Sequence, residues 1–153
     1  MIVLGIDAAT KTGWAIYDSD KKAIIESGVE DFSKKRGESN GIMFLRFRKW
    51  MADILKMAPA PQIVSYEQSH HRGGAATEIC VNLTGRIQEI CSQSGIECAT
   101  VQTRSLKKYA TGKGNASKEE MMEAAKQILG REPIDDNEAD AVLIAKWAAE
   151  EYF

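Results

Sequence analysis

What most constrains the fold of this chain is the order of its hydrophobic patterns. Three strand-like runs, MIVLGID, TGWAIYD and KAIIESGV, follow one another at the start, separated only by short polar turns such as AATK. Runs this close together pair as antiparallel hairpins. The pattern then changes period. Ile42, Leu45, Phe47, Trp50, Met51, Ile54 and Leu55 recur at helical spacing after a cap at Ser39 or Asn40, with Arg46, Arg48 and Lys49 filling much of the rest, and APAP ends the segment. QIVSYE is a fourth strand. Ala76, Ile79, Cys80, Leu83, Ile87, Ile90 and Cys91 step by three or four, which predicts a helix over Ala75 to Ser94 closed by Gly95. IECATVQ is a fifth strand, TRSLKKYAT a short helix, and SKEE a capping signature for a helix that Gly130 ends. An acidic turn then opens the final helix. Three early strands followed by helices alternating with two more predict an α/β chain with a mixed sheet flanked by helices.

At 153 residues and 44% hydrophobic, the chain is long enough for one domain, expected to span 1–153. No run approaches the roughly 20 apolar residues of a membrane span, and the start lacks the basic leader of a signal peptide. The expectation is a cytoplasmic protein with no membrane partner. Cys80, Cys91 and Cys98 are odd in number and lack C-x-x-C spacing, so neither a disulfide framework nor a zinc cluster is indicated; Cys80 and Cys91 read as buried apolar positions.

The net charge of -2 hides an uneven distribution. Arg104, Lys107, Lys108, Lys113 and Lys118 fall in a stretch without an acid, and from Glu119 onward acids outnumber bases by ten to three. This fits a polyanion-binding edge beside a metal-binding acidic cleft, the alternative being a solvated basic loop.

The closing segment PIDDNEADAVLIAKWAAE places four carboxylates ahead of an apolar run. Asp and Glu suit the first turn of any helix, where they cap amides and complement its dipole. The reading changes when Asp7 and Glu67 are considered with them, since each ends a strand-like run, and the carboxyl ends of strands are where ligands bind in an open α/β sheet. Asp136 and Asp140 are four apart, hence on one helix face. Converging carboxylates repel unless protonated or bridged by a cation, and hard oxygen donors select Mg²⁺ or Mn²⁺. Two such ions about 4 Å apart can activate water and stabilise a leaving 3′ oxygen in phosphodiester hydrolysis. Asp7 alone would more simply cap a turn.

These residues also resemble a known family. GIDAATKTGWAI looks like the opening of RuvC-type Holliday-junction resolvases, a branch of the ribonuclease H-like nucleases. YEQSHHRGG is similar to their second acidic strand, LKKYATGKGNASKEEM to their basic segment, and DNEADAVLIAKW to their closing acidic helix. The four motifs occur in the family's order. The resemblance implies a ribonuclease H-like five-stranded mixed sheet and a metal-dependent crossover-junction endodeoxyribonuclease serving DNA recombination and repair. The substrates would be four-way junctions, with three-way branches and flaps as related candidates. It implies metal ligation by Asp7, Glu67 and Asp140, with Mg²⁺ as cofactor and Mn²⁺ able to substitute, and catalytic and DNA-contacting roles for Lys107 and Lys118. Where the family carries Asp or His, this chain has Asn137, a neutral carbonyl donor; Asp136, one position earlier, is the alternative ligand. His70 occupies a position where relatives can place a base-wedging aromatic, and His71 and Arg72 could support it on phosphate. Because both the family and a four-way junction are two-fold symmetric, a homodimer is expected, with the Ala75–Ser94 helix as its candidate interface.

Competing classes are weaker. Actin-like ATPases open similarly but need two related subdomains, beyond this length. TGKGNASK fails the spacing of a phosphate-binding P-loop. A non-catalytic branched-DNA binder would not need the acid set, and the basic T-G-x-G segment favours the resolvase branch over RNA-processing ribonuclease H-like nucleases.

Overall fold

A computed structural model describes residues 1–68 and 73–152. The elements follow the expected order: β1 (Ile2–Asp7), β2 (Lys11–Asp18), β3 (Ala23–Asp31), α1 (Asn40–Ile54), β4 (Ile63–Glu67), α2 (Ala75–Ser94), β5 (Glu97–Val101), α3 (Thr103–Thr111), α4 (Lys118–Leu129) and α5 (Asp136–Tyr152). The strands form one five-stranded sheet in the order β3-β2-β1-β4-β5. β1 is antiparallel to β2 and β2 to β3, whereas β4 runs parallel to both β1 and β5. The carboxyl ends of β1, β4 and β5 therefore share one edge of the sheet.

Because side chains alternate across a strand, the sheet has two apolar faces and each is covered. Leu4, Ile6, Val64 and Tyr66 face α1 and α2, where Met43, Phe47, Met51, Leu83 and Ile87 complete a core. Val3, Ala15, Ala99 and Val101 face α5, with α3 and α4 packed beyond it. α5 is buried nearly all round, and its inner surface is largely alanine. Alanine permits close approach, and glycine in the strands permits more. A Cβ on Gly5 would lie 2.4 Å from the Ala141 carbonyl oxygen, and one on Gly13 would lie 1.9 Å from that of Asn137. The helix thus rests directly on the backbone of β1 and β2.

Three expectations need correction. On α1 the buried face is Met43, Phe47, Met51 and Ile54, a line of steps of four and three; Ile42 and Leu45 fall off that line and are exposed, Leu45 by 65%. Ser39 occupies the N-cap, but its side chain makes no capping hydrogen bond. Ser117 does: its hydroxyl accepts from the Glu120 amide at 3.1 Å, and the Glu120 carboxylate accepts from the Ser117 amide at 3.2 Å. Cys91 is buried as expected, whereas Cys80 is half-buried. Among the described residues, no helix is long and apolar enough to cross a membrane.

Candidate active site

Asp7 and Glu67 end adjacent parallel strands whose register runs to Ile6 opposite Tyr66. They follow side by side, and both lie on the face that α5 covers, since each is two residues beyond a position under that helix: Gly5 on β1 and Ser65 on β4. Two residues of strand advance about 6.7 Å, close to the 6 Å of four helical residues. With Gly5 beneath Ala141 and Ala145, Asp7 accordingly falls beside the preceding turn of α5, which carries Asp136 and Asp140. Gly13, the cross-strand partner of Asp7, is what lets the backbone of that turn come down onto the sheet.

Glu67, Thr103, Lys107, Lys118, Asp136 and Asp140 line a cleft of about 220 Å³, floored by apolar side chains of α3 to α5. Asp7 stands behind this lining, next to Glu67. The convergence is visible in the electrostatics. Burial, then the negative charges of Asp140, Glu67 and Asp136, hold the Asp7 carboxyl well above its ordinary range. Burial followed by Glu67 and Asp136 pushes Asp140 up to about 7, with Lys107 and Lys118 pulling the other way. The acids are within reach of one another without closing up. Among the described residues, no group of three or more acidic, His or Cys side chains forms a ready metal cage. Hard oxygen donors supplied from three elements, crowded enough to raise the pKa of Asp7 and of Asp140, are the donor set that a divalent cation suits.

Neighbours orient the acids. The Thr103 hydroxyl, at the start of α3, donates to Glu67 Oε1, and Lys118 Nζ lies 3.5 Å from Asp136 Oδ2. Asp136 and Asn137 diverge: Asp136 lines the cleft, while Asn137 lines a neighbouring groove with the Ala8–Lys11 turn and the start of α2. The basic run divides as well. Lys107 and Lys118 face the cleft, Lys113 pairs with Glu120 at 3.0 Å, Arg104 packs along Gly114, and Lys108 is exposed. His70, His71 and Arg72 lie outside the described residues.

Two of the four carboxylates in the closing turn do not belong to the cleft. Asp135 Oδ1 accepts from the Glu138 amide at 2.9 Å and so caps α5. Glu138 is completely buried, held by Arg131, Ser27 and the Ile134 amide. Burial raises its pKa, but those donors outweigh it and leave the carboxyl below its ordinary range. The D-x-x-E spacing of Asp135 and Glu138 is a capping-box signature that points to the Asp135 cap, although Glu138 accepts from the Ile134 amide and not from that of Asp135. Thr103 has no comparable signal.

No family model matches the chain. The crossover junction endodeoxyribonuclease RuvC of Brachyspira hyodysenteriae is 30% identical over 150 residues, covering 95% of this chain and 91% of the relative. That of Rickettsia prowazekii is 27% identical over 151 residues, covering 95% and 94%. Among solved structures, two of Thermus thermophilus RuvC, one of them in complex with a Holliday junction substrate, superpose with a TM-score of 0.81 at 22% identity over 99% of this chain and 96% of that one. The sheet order and helical layers are accordingly those of the ribonuclease H-like fold, and the chain belongs to the RuvC family of crossover junction endodeoxyribonucleases.

Proposed function

We propose that this chain resolves Holliday junctions by hydrolysing phosphodiester bonds at the cleft, with Asp7, Glu67, Asp136 and Asp140 holding divalent cations. The observation that carries this reading is the convergence of acids from β1, β4 and α5 beside two lysines, where Glu67 and Asp136 add to the burial that raises the pKa of Asp7 and Asp140. Mg²⁺ is the proposed ion, with Mn²⁺ able to replace it, because the donors are hard oxygens. Ions held there would polarise an attacking water and stabilise the leaving 3′ oxygen.

The chain's own side chains do the rest. Thr103 restrains the Glu67 carboxylate by donating to Oε1. Lys107 lines the cleft beside Glu67 and Asp140, where an ammonium offsets charge developing on a phosphoryl group. Lys118 pairs with Asp136 and is 67% exposed, so it can exchange that partner for a backbone phosphate as DNA arrives. Two such sites are needed for paired cuts across a four-way junction, and one chain carries one acid set; we therefore propose a homodimer as the working form.

The test offers four-way junction, flap and linear duplex to the protein with Mg²⁺, Mn²⁺ or chelator. Cleavage is expected on the junction, abolished by chelator and by Asp7→Asn, Glu67→Gln or Asp140→Asn, while junction binding persists because affinity comes mainly from phosphate contacts. Near-normal turnover in any of these variants at saturating metal removes that residue from the site. Binding without cleavage by the wild-type protein under every condition would make it a non-catalytic junction binder.

A further inference from the structure

α5 meets β1 and β2 through glycine and alanine, and the larger side chains that seat it in the core, Val142, Leu143 and Ile144, all lie beyond its first turn. Rotation nevertheless matters at its first turn. Turning the helix by about 20° would carry a carboxylate some 5–6 Å from the axis by about 2 Å, and misplacement by 1 Å in an active site can cost about a hundredfold in rate. Something must hold that turn.

Glu138 is placed to do so. At 100° per residue, it projects from the side of α5 nearly opposite both Asp136 and Asp140. Its side chain is fully buried, and each carboxylate oxygen has two donors. Oε1 accepts from Arg131 Nη1 at 3.0 Å and the Ile134 amide at 2.7 Å; Oε2 accepts from Arg131 Nη2 at 2.8 Å and the Ser27 hydroxyl at 2.9 Å. Arg131 Nη2 also donates to the Ser27 hydroxyl at 3.2 Å. The donors come from β3 and from the α4–α5 connection. A forked guanidinium on a buried carboxylate fixes direction as well as distance. Four donors around one carboxylate leave it a single orientation, unlike a surface ion pair, whose geometry is loose.

We propose that Glu138, clamped by Arg131 and Ser27, is a positioning residue that sets the rotation of the first turn of α5 and so aims Asp136 and Asp140 at Glu67. The proposal rests on the reading of the acid cleft as the metal site. Glu138 touches neither substrate nor ion; it acts from the far side of the helix.

The test measures Mn²⁺ affinity directly, by paramagnetic resonance of the free ion, for the wild type, Asp140→Asn, Glu138→Gln and Arg131→Ala. Junction binding in chelator and thermal melting are followed in parallel. Glu138→Gln keeps the shape but turns an amide NH₂ toward the guanidinium. Arg131 is half exposed, so Arg131→Ala leaves room for water and keeps the test usable if Glu138→Gln does not fold. Mn²⁺ affinity is expected to fall about 10- to 100-fold in both clamp variants, the range for residues that orient metal ligands. Junction binding in chelator should stay within about twofold, and cleavage should be largely recovered at saturating Mn²⁺. A lowered melting temperature with wild-type Mn²⁺ affinity in the folded clamp variants overturns the proposal, provided Asp140→Asn loses the ion. If Asp140→Asn binds Mn²⁺ as the wild type does, the cleft reading falls first and the clamp proposal with it.

Discussion

Asp136 and Asn137 are neighbours in sequence with different surroundings, and the difference decides how each should respond to substitution. Asp136 shares its cleft with Glu67, Asp140 and two lysines; Asn137 shares a groove with the β1–β2 turn and α2. Removing a charge from a divalent site costs more than removing a weak neutral donor. Asp136→Asn is therefore expected to slow cleavage by at least about tenfold more than Asn137→Ala, compared in one assay at subsaturating Mg²⁺. The reverse order would move the fourth ligand to Asn137. The lysines separate in another way. Lys107→Ala and Lys118→Ala should each lower the slope of log affinity against log salt by about 1, as the loss of one phosphate contact requires. Lys107→Ala should in addition slow turnover by about 10²-fold on bound junction. Salt slopes and rates unchanged in both variants would return the basic run to a solvated loop.

At the scale of elements, α5 is both the core of one face and the carrier of two of the acids, so stability and site geometry are coupled through its seat on the sheet. Gly5→Ala and Gly13→Ala test that coupling. Each new methyl would overlap helix backbone rather than a movable side chain tip, and overpacking of this kind costs about 1–3 kcal/mol, occasionally more. Both variants should unfold at lower urea and should bind Mn²⁺ more weakly than their loss of stability accounts for, because α5 has to lift away from Asp7. Wild-type stability in either would mean that the helix seat is softer than its contacts indicate. The G-I-D and T-G motifs thus carry a packing requirement along with a catalytic acid. That requirement could not be read locally, because it depends on Ala141 and Asn137 arriving more than 120 residues later in the chain.

At the scale of the molecule, the surface left for a partner is narrower than the helical pattern of α2 indicates. Leu83, Ile87, Ile90 and Cys91 of its apolar stripe are spent inside the monomer against α1 and the sheet. Ala76 and Val81 stay exposed, Val81 by 41%. A dimer through α2 would have to use that remaining flank. Sedimentation at micromolar concentration is expected to give a dimer, free or junction-bound, and Val81→Glu to weaken it. A monomer under both conditions removes the homodimer; a dimer unaffected by Val81→Glu removes only this interface.

The order and type of the elements, the bounds of α2, the capping box at Ser117 and the placing of Asp7 and Glu67 at strand ends were all set by the sequence alone. They follow from apolar periodicity, caps and breakers acting over a few residues, and local physics of that kind is written locally. Beyond the Asp135 cap, only the tertiary structure decided what the acids of the closing turn do. Glu138 is buried, with Ser27 meeting it across 111 residues of chain, while Asp136 and Asp140 face the cleft. Thr103 reaches Glu67 across 36 residues in the same way. A carboxylate's role is fixed by the charges and donors that surround it in space, and those neighbours come from parts of the chain whose spacing in sequence carries no record of the contact.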